Sequence, residues 1–381
     1  MLEILYDPAW TSQFYWLLIV AFIFAFSVSF GMGANDSCND WGPAVGAGTV
    51  KLWQAYILCG IFNTIGAILL GYKVTETLRS GIVEVEVFDV YSMYNHTTGK
   101  YQVVPHCNGS VATVASWFIS PLIAGFFASS FYLIIKYSVL LRKDTFKWAL
   151  IMCPMFMCFT VTVNLFACIF DGSKYLGFDR LSWWQAGLIS LATGAVAMFL
   201  LSCPLKSWLA NRAHRLFNEE VAKNQRKLEQ GKIKQNKVKD MHTPVVDMDK
   251  IKDLPWYKYL YTAVPEERLT TKVFNALQIV SSSLLSFSHG ANDTANTVGP
   301  LLAVWMTYQT GYAFGAAETR DDSQVLLAFG AVAMIVGFLT LGHRTIKLIA
   351  QEITVDMSPI SGFAIELGTA FTVLVCVKIG E

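Results

Sequence analysis

Two stretches of this sequence set ionisable and amide side chains inside oily surroundings. Gly33-Ala34-Asn35-Asp36-Ser37-Cys38-Asn39 lies in an apolar N-terminal segment, and Gly290-Ala291-Asn292-Asp293-Thr294-Ala295-Asn296 lies in another. A Gly-Pro pair follows each copy at the same spacing, Gly42-Pro43 and Gly299-Pro300, so one offset of 257 residues relates every match. A charge at the bilayer centre costs about 2.5–3.5 kcal/mol even on the lenient insertion scale. Something must offset that cost twice, and an ion or a polar substrate is the default. Asn35, Asp36 and Asn39 fall at i, i+1 and i+4, so on a helix the two carboxamides share a face with the carboxylate beside it. Asn292, Asp293 and Asn296 repeat the arrangement. Glycine before and Gly-Pro after each copy predict a helix that breaks there. A broken helix offers N–H groups at one half-helix end, which suit an anion, and carbonyls at the other, which with an aspartate suit Na⁺. Carboxamides serve either ion. No lysine or arginine accompanies either copy, so a bound anion needs cations to travel with it. A lone membrane asparagine is more often glue between helices than a ligand. Two copies with common spacing and a common tail argue for ligands.

The elements that must hold these groups are membrane helices. Of 381 residues, 54% are hydrophobic and 15% charged, an apolar excess too large for a soluble domain of this size. The net charge of +1 offers no global field for nucleic acid. Long apolar runs cover 15–32, 53–71, 111–135, 146–170, 184–203, 325–342 and 359–377, several near the ~20 residues a spanning helix needs. A further run, 273–289, enters the second motif and resumes over 298–308. Glu3 and Asp7 precede the first run, which lacks a basic leader, so no cleavable signal peptide is expected. The polar stretch 72–110 holds Val83, Val85 and Val87 alternating with Glu84 and Glu86, the pattern of one short strand. It also carries two glycosylation acceptors, Asn95 and Asn108. The triplets at Asn35 and Asn292 match the same acceptor pattern but lie in apolar segments closed to the transferase.

Residues 206–272 form a charged loop crowded with lysine. Over 209–228 an amphipathic helix is expected, and the rest reads as solvated. The basic run is chiefly a cytoplasmic topology determinant, with lipid phosphate or regulation as the second reading. The domain organisation expected is an N-terminal transmembrane repeat over 1–204, a cytoplasmic charged loop over 205–272 and a C-terminal transmembrane repeat over 273–381. Placing 206–272 inside puts 72–110 outside with its acceptors, the basic 136–147 segment inside and the acidic N-terminus outside. The two motif helices then enter from opposite sides. Inverted repeats of this kind place a midplane site that can open alternately to either face.

Other polar groups carry less. Glu366 lies in an apolar run and is a functional candidate by the same cost argument, against the plain reading of a neutral acid bonded to a neighbouring helix. Asn63 and Asn164 read as packing residues. His289 adjoins only the second motif, a weak signal for a proton role, and Ser286 and Ser288 could line a path. Eight cysteines show no metal-ligand spacing. Six lie in apolar runs, and Cys107 could be oxidised if its polar loop faces outside. No nucleophile–base pair or metal cluster adjoins the motifs, so no catalytic residue, enzyme activity or cofactor is expected.

At these residues the chain resembles the inorganic phosphate transporter (PiT) family, the sodium–phosphate symporters of eukaryotes and their bacterial relatives. The duplicated Gly-Ala-Asn-Asp-x-x-Asn is highly specific. Further matches to the eukaryotic branch are 73–82 (KVTETLRSGI), 115–122 (ASWFISPL), 176–179 (LGFD) and 361–373 (SGFAIELGTAFTV). The resemblance implies an all-α polytopic membrane protein, an inverted-repeat secondary transporter with broken helices. It implies Na⁺-coupled symport of inorganic phosphate at the plasma membrane, with Na⁺ as coupling ion and no cofactor. By the match, Asn35, Asp36, Asn39, Asn292, Asp293 and Asn296 line the phosphate site, and Asp36, Asp293 and Glu366 serve sodium. A homo-oligomer is compatible with the sequence. The family's Pro-x-Ser-(Gly/Thr)-Thr-His motifs are not found in either half, Asn63 stands where relatives carry glutamate, and Asp40-Trp41 where they carry small residues. These departures support a second reading, a non-transporting membrane scaffold, sensor or surface receptor that keeps the fold.

Overall fold

The computed structural model describes residues 8–82, 94–95, 100–101, 108–170, 177–230, 264, 266–310, 322–349 and 357–379. In chain order it shows α1 (Pro8–Asn35), α2 (Ser37–Gly46), α3 (Leu52–Ile82), a small hairpin of β1 (Tyr94–Asn95) and β2 (Lys100–Tyr101), and α4 (Asn108–Ile135). A π-type turn, Lys136–Leu140, leads to α5 (Thr145–Ile169), and α6 (Trp183–Ser202) and α7 (Lys206–Glu229) follow. The last helices are α8 (Arg268–Thr310), α9 (Asp322–Leu348) and α10 (Pro359–Ile379). The fold is thus helical, as apolar surroundings require: a helix satisfies its own backbone N–H and C=O groups where no water can. Where loops turn, the sequence supplies caps. Ser182 and Gln185 form a capping box at α6, and the Asp144 carboxylate accepts from the Lys147 amide at 3.0 Å to start α5.

By length and composition, six helical segments among the described residues can cross a membrane: Ser12–Gly46, Leu52–Gly71, Phe118–Leu140, Thr145–Ile169, Trp183–Ser202 and Ser323–Leu348. Large apolar side chains cover much of the outer surface, and polar groups sit inside. Phe24, Phe118, Leu122 and Val325 face outward, while Gln278, Ser282, Ser286 and Glu366 are buried. This is a multi-pass membrane protein. The amphipathic helix expected over 209–228 is α7. The strand expected at 83–87 and residues 231–263 of the expected solvated loop lie outside the described residues, and residues 268–272 of that loop belong to α8. Asn95 ends β1, paired in register with Lys100, and Asn108 begins α4.

The helices pack in long pairs, α8 along α3 and α1 along α9. Glycine makes both approaches. A Cβ on Gly290 would lie 2.1 Å from the Asn63 carbonyl oxygen, and one on Gly66 would lie 1.9 Å from that of Phe287. In the other pair, a Cβ on Gly33 would meet the Met334 carbonyl oxygen at 1.8 Å, and one on Gly337 that of Phe30 at 2.0 Å. Phe30 and Gly33 precede Phe287 and Gly290 by the same 257 positions; Asn63 and Gly66 precede Met334 and Gly337 by 271. Each motif helix therefore meets a later helix of the other half through the same glycine pattern.

At the other end of α8, α7 docks by its apolar stripe. Leu209 and Ala213 are buried with Ile135, Ala149 and Phe274. Glu220 completes the contact, its carboxylate 2.7 Å from Arg268 and 2.6 Å from Lys272. Burial opposes charge on Glu220, but Lys272 and then Arg268 outweigh it and hold the carboxyl below its ordinary value of 4.5. A depressed folded value means a contribution that is full above 4.5 and lost as the pH falls through the folded value. Amide exchange across α7, corrected for its intrinsic rate, is expected to speed up in that acid window, and Glu220→Gln should abolish the pH dependence.

Candidate functional site

The first motif lies where α1 gives way to α2. Asp36 is the single residue between them. Its amide still bonds the Met32 carbonyl at 2.7 Å, and its own carbonyl takes the Asn39 amide at 2.9 Å, so the chain tightens there without reversing. Asn35 Nδ2 donates to Asp36 Oδ1 at 2.9 Å. Asp36 is half-buried, and Asn35 and Asn39 are exposed. The break expected at the second motif is absent: residues 290–296 lie within the continuous helix α8. The helix packs closely on α3 at Gly290 and accommodates Pro300 in its interior. Proline has no N–H to donate to the carbonyl four residues earlier. Pro43 and Pro300 thus withdraw the helical donor from the carbonyls of Asn39 and Asn296, the matching asparagines of the two copies.

Asp293 is buried, Asn292 half-buried and Asn296 exposed. Asp36 lies within electrostatic range of Asp293, His289 and Asp40, so the two motif aspartates, 257 residues apart in sequence, share one site. Among the described residues neither pairs with lysine or arginine. The nearby cationic candidate is His289. Its Nδ1 lies 3.0 Å from Asp40 Oδ1 and its Nε2 2.5 Å from Asp293 Oδ2. The second contact is an ion pair within the helix, at i and i+4. Only the doubly protonated ring presents a proton toward both carboxylates. Asp40 is further held by Ser286, whose hydroxyl donates to Oδ2 at 2.9 Å, and Trp41 Nε1 donates to that same Ser286 oxygen at 2.7 Å.

Asp40 is the functional candidate the sequence reading passed over. The available signal was the cost argument applied to the two motif aspartates: Asp40 is an acid directly after the motif, and it is almost wholly buried. Ser286 is a strut for Asp40 and Trp41 in place of a path-lining group. The pairing has an echo across the halves, since Ser29 donates to Thr297 at 2.8 Å and both positions are 257 residues from Ser286 and Asp40 in the corresponding sense. Asn164 bonds back to the Thr160 carbonyl, as a packing residue does. Asn63 is buried with its Oδ1 taking no hydrogen bond. Buried polar atoms without partners are uncommon, and Asn63 supplies one on α3 where that helix packs at Gly290 of α8.

Glu366 is drawn into a separate cluster. It is fully buried, bonded by Ser281 and by Gln278 Nε2 at 3.3 Å, with Thr49 donating to Gln278 Oε1 at 2.6 Å. Ser281 precedes Asp293 by twelve residues, about 18 Å along the helix axis. Sequence alone grouped Glu366 with the two aspartates as sodium candidates; the structure places it against α8 three turns away.

A family model described as the phosphate transporter family matches residues 32–103 and 91–380. The Danio rerio protein named sodium-dependent phosphate transporter 1-A is 25% identical, over 97% of this chain and 87% of its own length. The Mus musculus sodium-dependent phosphate transporter 1 is 33% identical over 50% of this chain and 34% of its own. A solved structure described as the sodium-dependent phosphate transporter shares the fold, with a TM-score of 0.65 at 22% identity over 95% of this chain and 84% of that one.

Proposed function

Because this chain belongs to the phosphate transporter family, a family of transporters and not of enzymes, we propose that it carries inorganic phosphate across the membrane together with Na⁺. The observation that carries the reading is that His289 joins Asp293 to Asp40, four residues after Asp36, inside an apolar bundle where, among the described residues, neither motif aspartate has a lysine or arginine partner. Two neighbouring carboxylates repel a bare phosphate. With sodium bound between them they attract it, so the cation becomes a condition of anion binding. In this reading Asn35, Asn39, Asn292 and Asn296 offer amide donors to phosphate, Asp36 and Asp293 take sodium, and Glu366 serves sodium apart from them in its own cluster. No other cofactor is needed. The names of the similar proteins, sodium-dependent phosphate transporters, support the coupling.

Alternating access follows if the halves are inverted repeats, over 1–204 and 273–381 around a cytoplasmic loop. The exchanged glycine contacts, and the Ser29–Thr297 and Ser286–Asp40 bonds at matching positions, support that relation. We place the protein in the plasma membrane with Asn95 and Asn108 outside and glycosylated.

The test is uptake of labelled phosphate into proteoliposomes holding the full chain, with Na⁺ outside or replaced by choline. Uptake is expected with Na⁺ and not with choline. No uptake in either from correctly inserted protein would leave a scaffold or receptor that keeps the fold. Glu366→Gln refines the reading. The amide keeps the volume and an acceptor for Ser281, so the melting point should hold, while Na⁺-driven uptake should fall by about tenfold or more, as expected for loss of a charge-assisted contact.

A further inference from the structure

We propose that α7 is a membrane-surface helix whose exposed basic face binds anionic lipid headgroups. The inference goes beyond transport and does not rest on the sodium–phosphate reading. It begins with reach. Only Cys203, Pro204 and Leu205 separate α6 from α7, and three residues span at most about 11 Å. That short joint is itself hydrogen-bonded. The Cys203 amide bonds Phe199 at 3.0 Å, Leu205 bonds Leu200 at 2.9 Å, and Leu209 bonds Leu205 at 2.8 Å. The first turn of α7 is therefore held beside the end of the candidate span Trp183–Ser202. Its inner stripe is committed to the bundle through Leu209, Ala213 and the Glu220 bridge to Arg268 and Lys272.

The remaining face is basic with an apolar tip. Lys206, Arg215, Lys223, Arg226 and Lys227 are exposed, against the exposed acids Glu219 and Glu229. Of these acids, Glu219 lies 3.7 Å from Arg215, and the helix's other acid, Glu220, is turned inward. At the membrane end Leu205 and Trp208 are exposed, and the Arg212 guanidinium lies over the Trp208 ring at 5.1 Å. An indole with a cation above it suits the headgroup layer, where one part meets acyl chain and the other phosphate. A nucleic acid or acidic protein would take the charge but would leave Leu205 and Trp208 without a role. Anionic phospholipid satisfies both, and each lysine or arginine near such a surface strengthens binding about fivefold.

The test uses the full chain in nanodiscs of phosphatidylcholine with phosphatidylserine. Bromine is carried on the acyl chains of one lipid or the other, and Trp208 fluorescence is isolated by difference against Trp208→Phe. Stronger quenching by brominated phosphatidylserine is expected, and high salt should remove the difference. The triple variant K223Q/R226Q/K227Q, on the outward turn away from the bundle contacts, should lose the preference with its melting point unchanged. Equal quenching by the two lipids, no quenching by either, or a preference that survives high salt or the triple variant would overturn the proposal. So would relief of the preference by soluble inorganic phosphate, since the face would then be reading a free anion.

Discussion

Asp36→Asn and Asp293→Asn are each expected to reduce Na⁺-driven phosphate uptake to background in proteoliposomes. The substitution is nearly isosteric and leaves the amide bonds around it, so the change is one of charge. Removing one partner of a buried charged contact costs roughly 2–5 kcal/mol, about thirtyfold or more in affinity. Phosphate would lose the cation that makes its own binding favourable, so the two losses compound. Folding should move the other way. Asp36 lies in range of Asp293 and Asp40, and neutralising one of several like charges in a low-dielectric site relieves repulsion. A melting point that holds or rises beside lost uptake is the expected signature of Asp36→Asn; in Asp293→Asn the relief is offset by the lost His289 contact. If D293N transports at the wild-type rate, the repeated carboxylate is not a ligand and the coupling scheme fails. A collapse of the fold in both variants would instead make the aspartates structural.

Gly33→Ala and Gly290→Ala are expected to damage the fold itself. Alanine favours a helix over glycine by about 1 kcal/mol, so any loss must come from the contact. The added carbon would stand 1.8 Å from the Met334 carbonyl oxygen in one case and 2.1 Å from that of Asn63 in the other. The obstacle is backbone, which cannot rotate away as a side chain does. The paired helices must part, and overpacking of this kind costs about 1–3 kcal/mol or more. Thermal scans of detergent-purified protein, followed by size exclusion, should show a lower midpoint or aggregation for both. Gly31→Ala supplies the control on the same helix, since a Cβ there meets nothing within 4 Å. A Gly31 variant as unstable as the Gly33 variant would mean that helix α1 resists alanine for some reason other than its approach to α9.

Much of the site could be read before any coordinates. The two motifs stood out because charge is costly in an apolar run, and that cost depends only on neighbours in sequence. The spans could be placed for the same reason: lipid leaves the backbone no hydrogen-bonding partner except its own helix, so hydropathy and length suffice. The amphipathic stripe of α7 was legible from its period. The course of α8 was not. Glycine and proline around residues 290–300 predict a break, yet packing against α3 along the helix outweighs the local preference.

Sequence by itself determined the class of molecule, the helical spans and the repeated polar motif, because each follows from the local contest between side-chain polarity and oil. Tertiary structure alone decided which groups meet. It brought His289 between Asp40 and Asp293, tied Asp40 and Trp41 to Ser286, and set Glu366 against Gln278 and Ser281 about three turns from Asp293. These partners lie tens to hundreds of residues apart. Their meeting depends on where close-approaching glycines let one helix lie on another, and no local pattern of polarity encodes that registration.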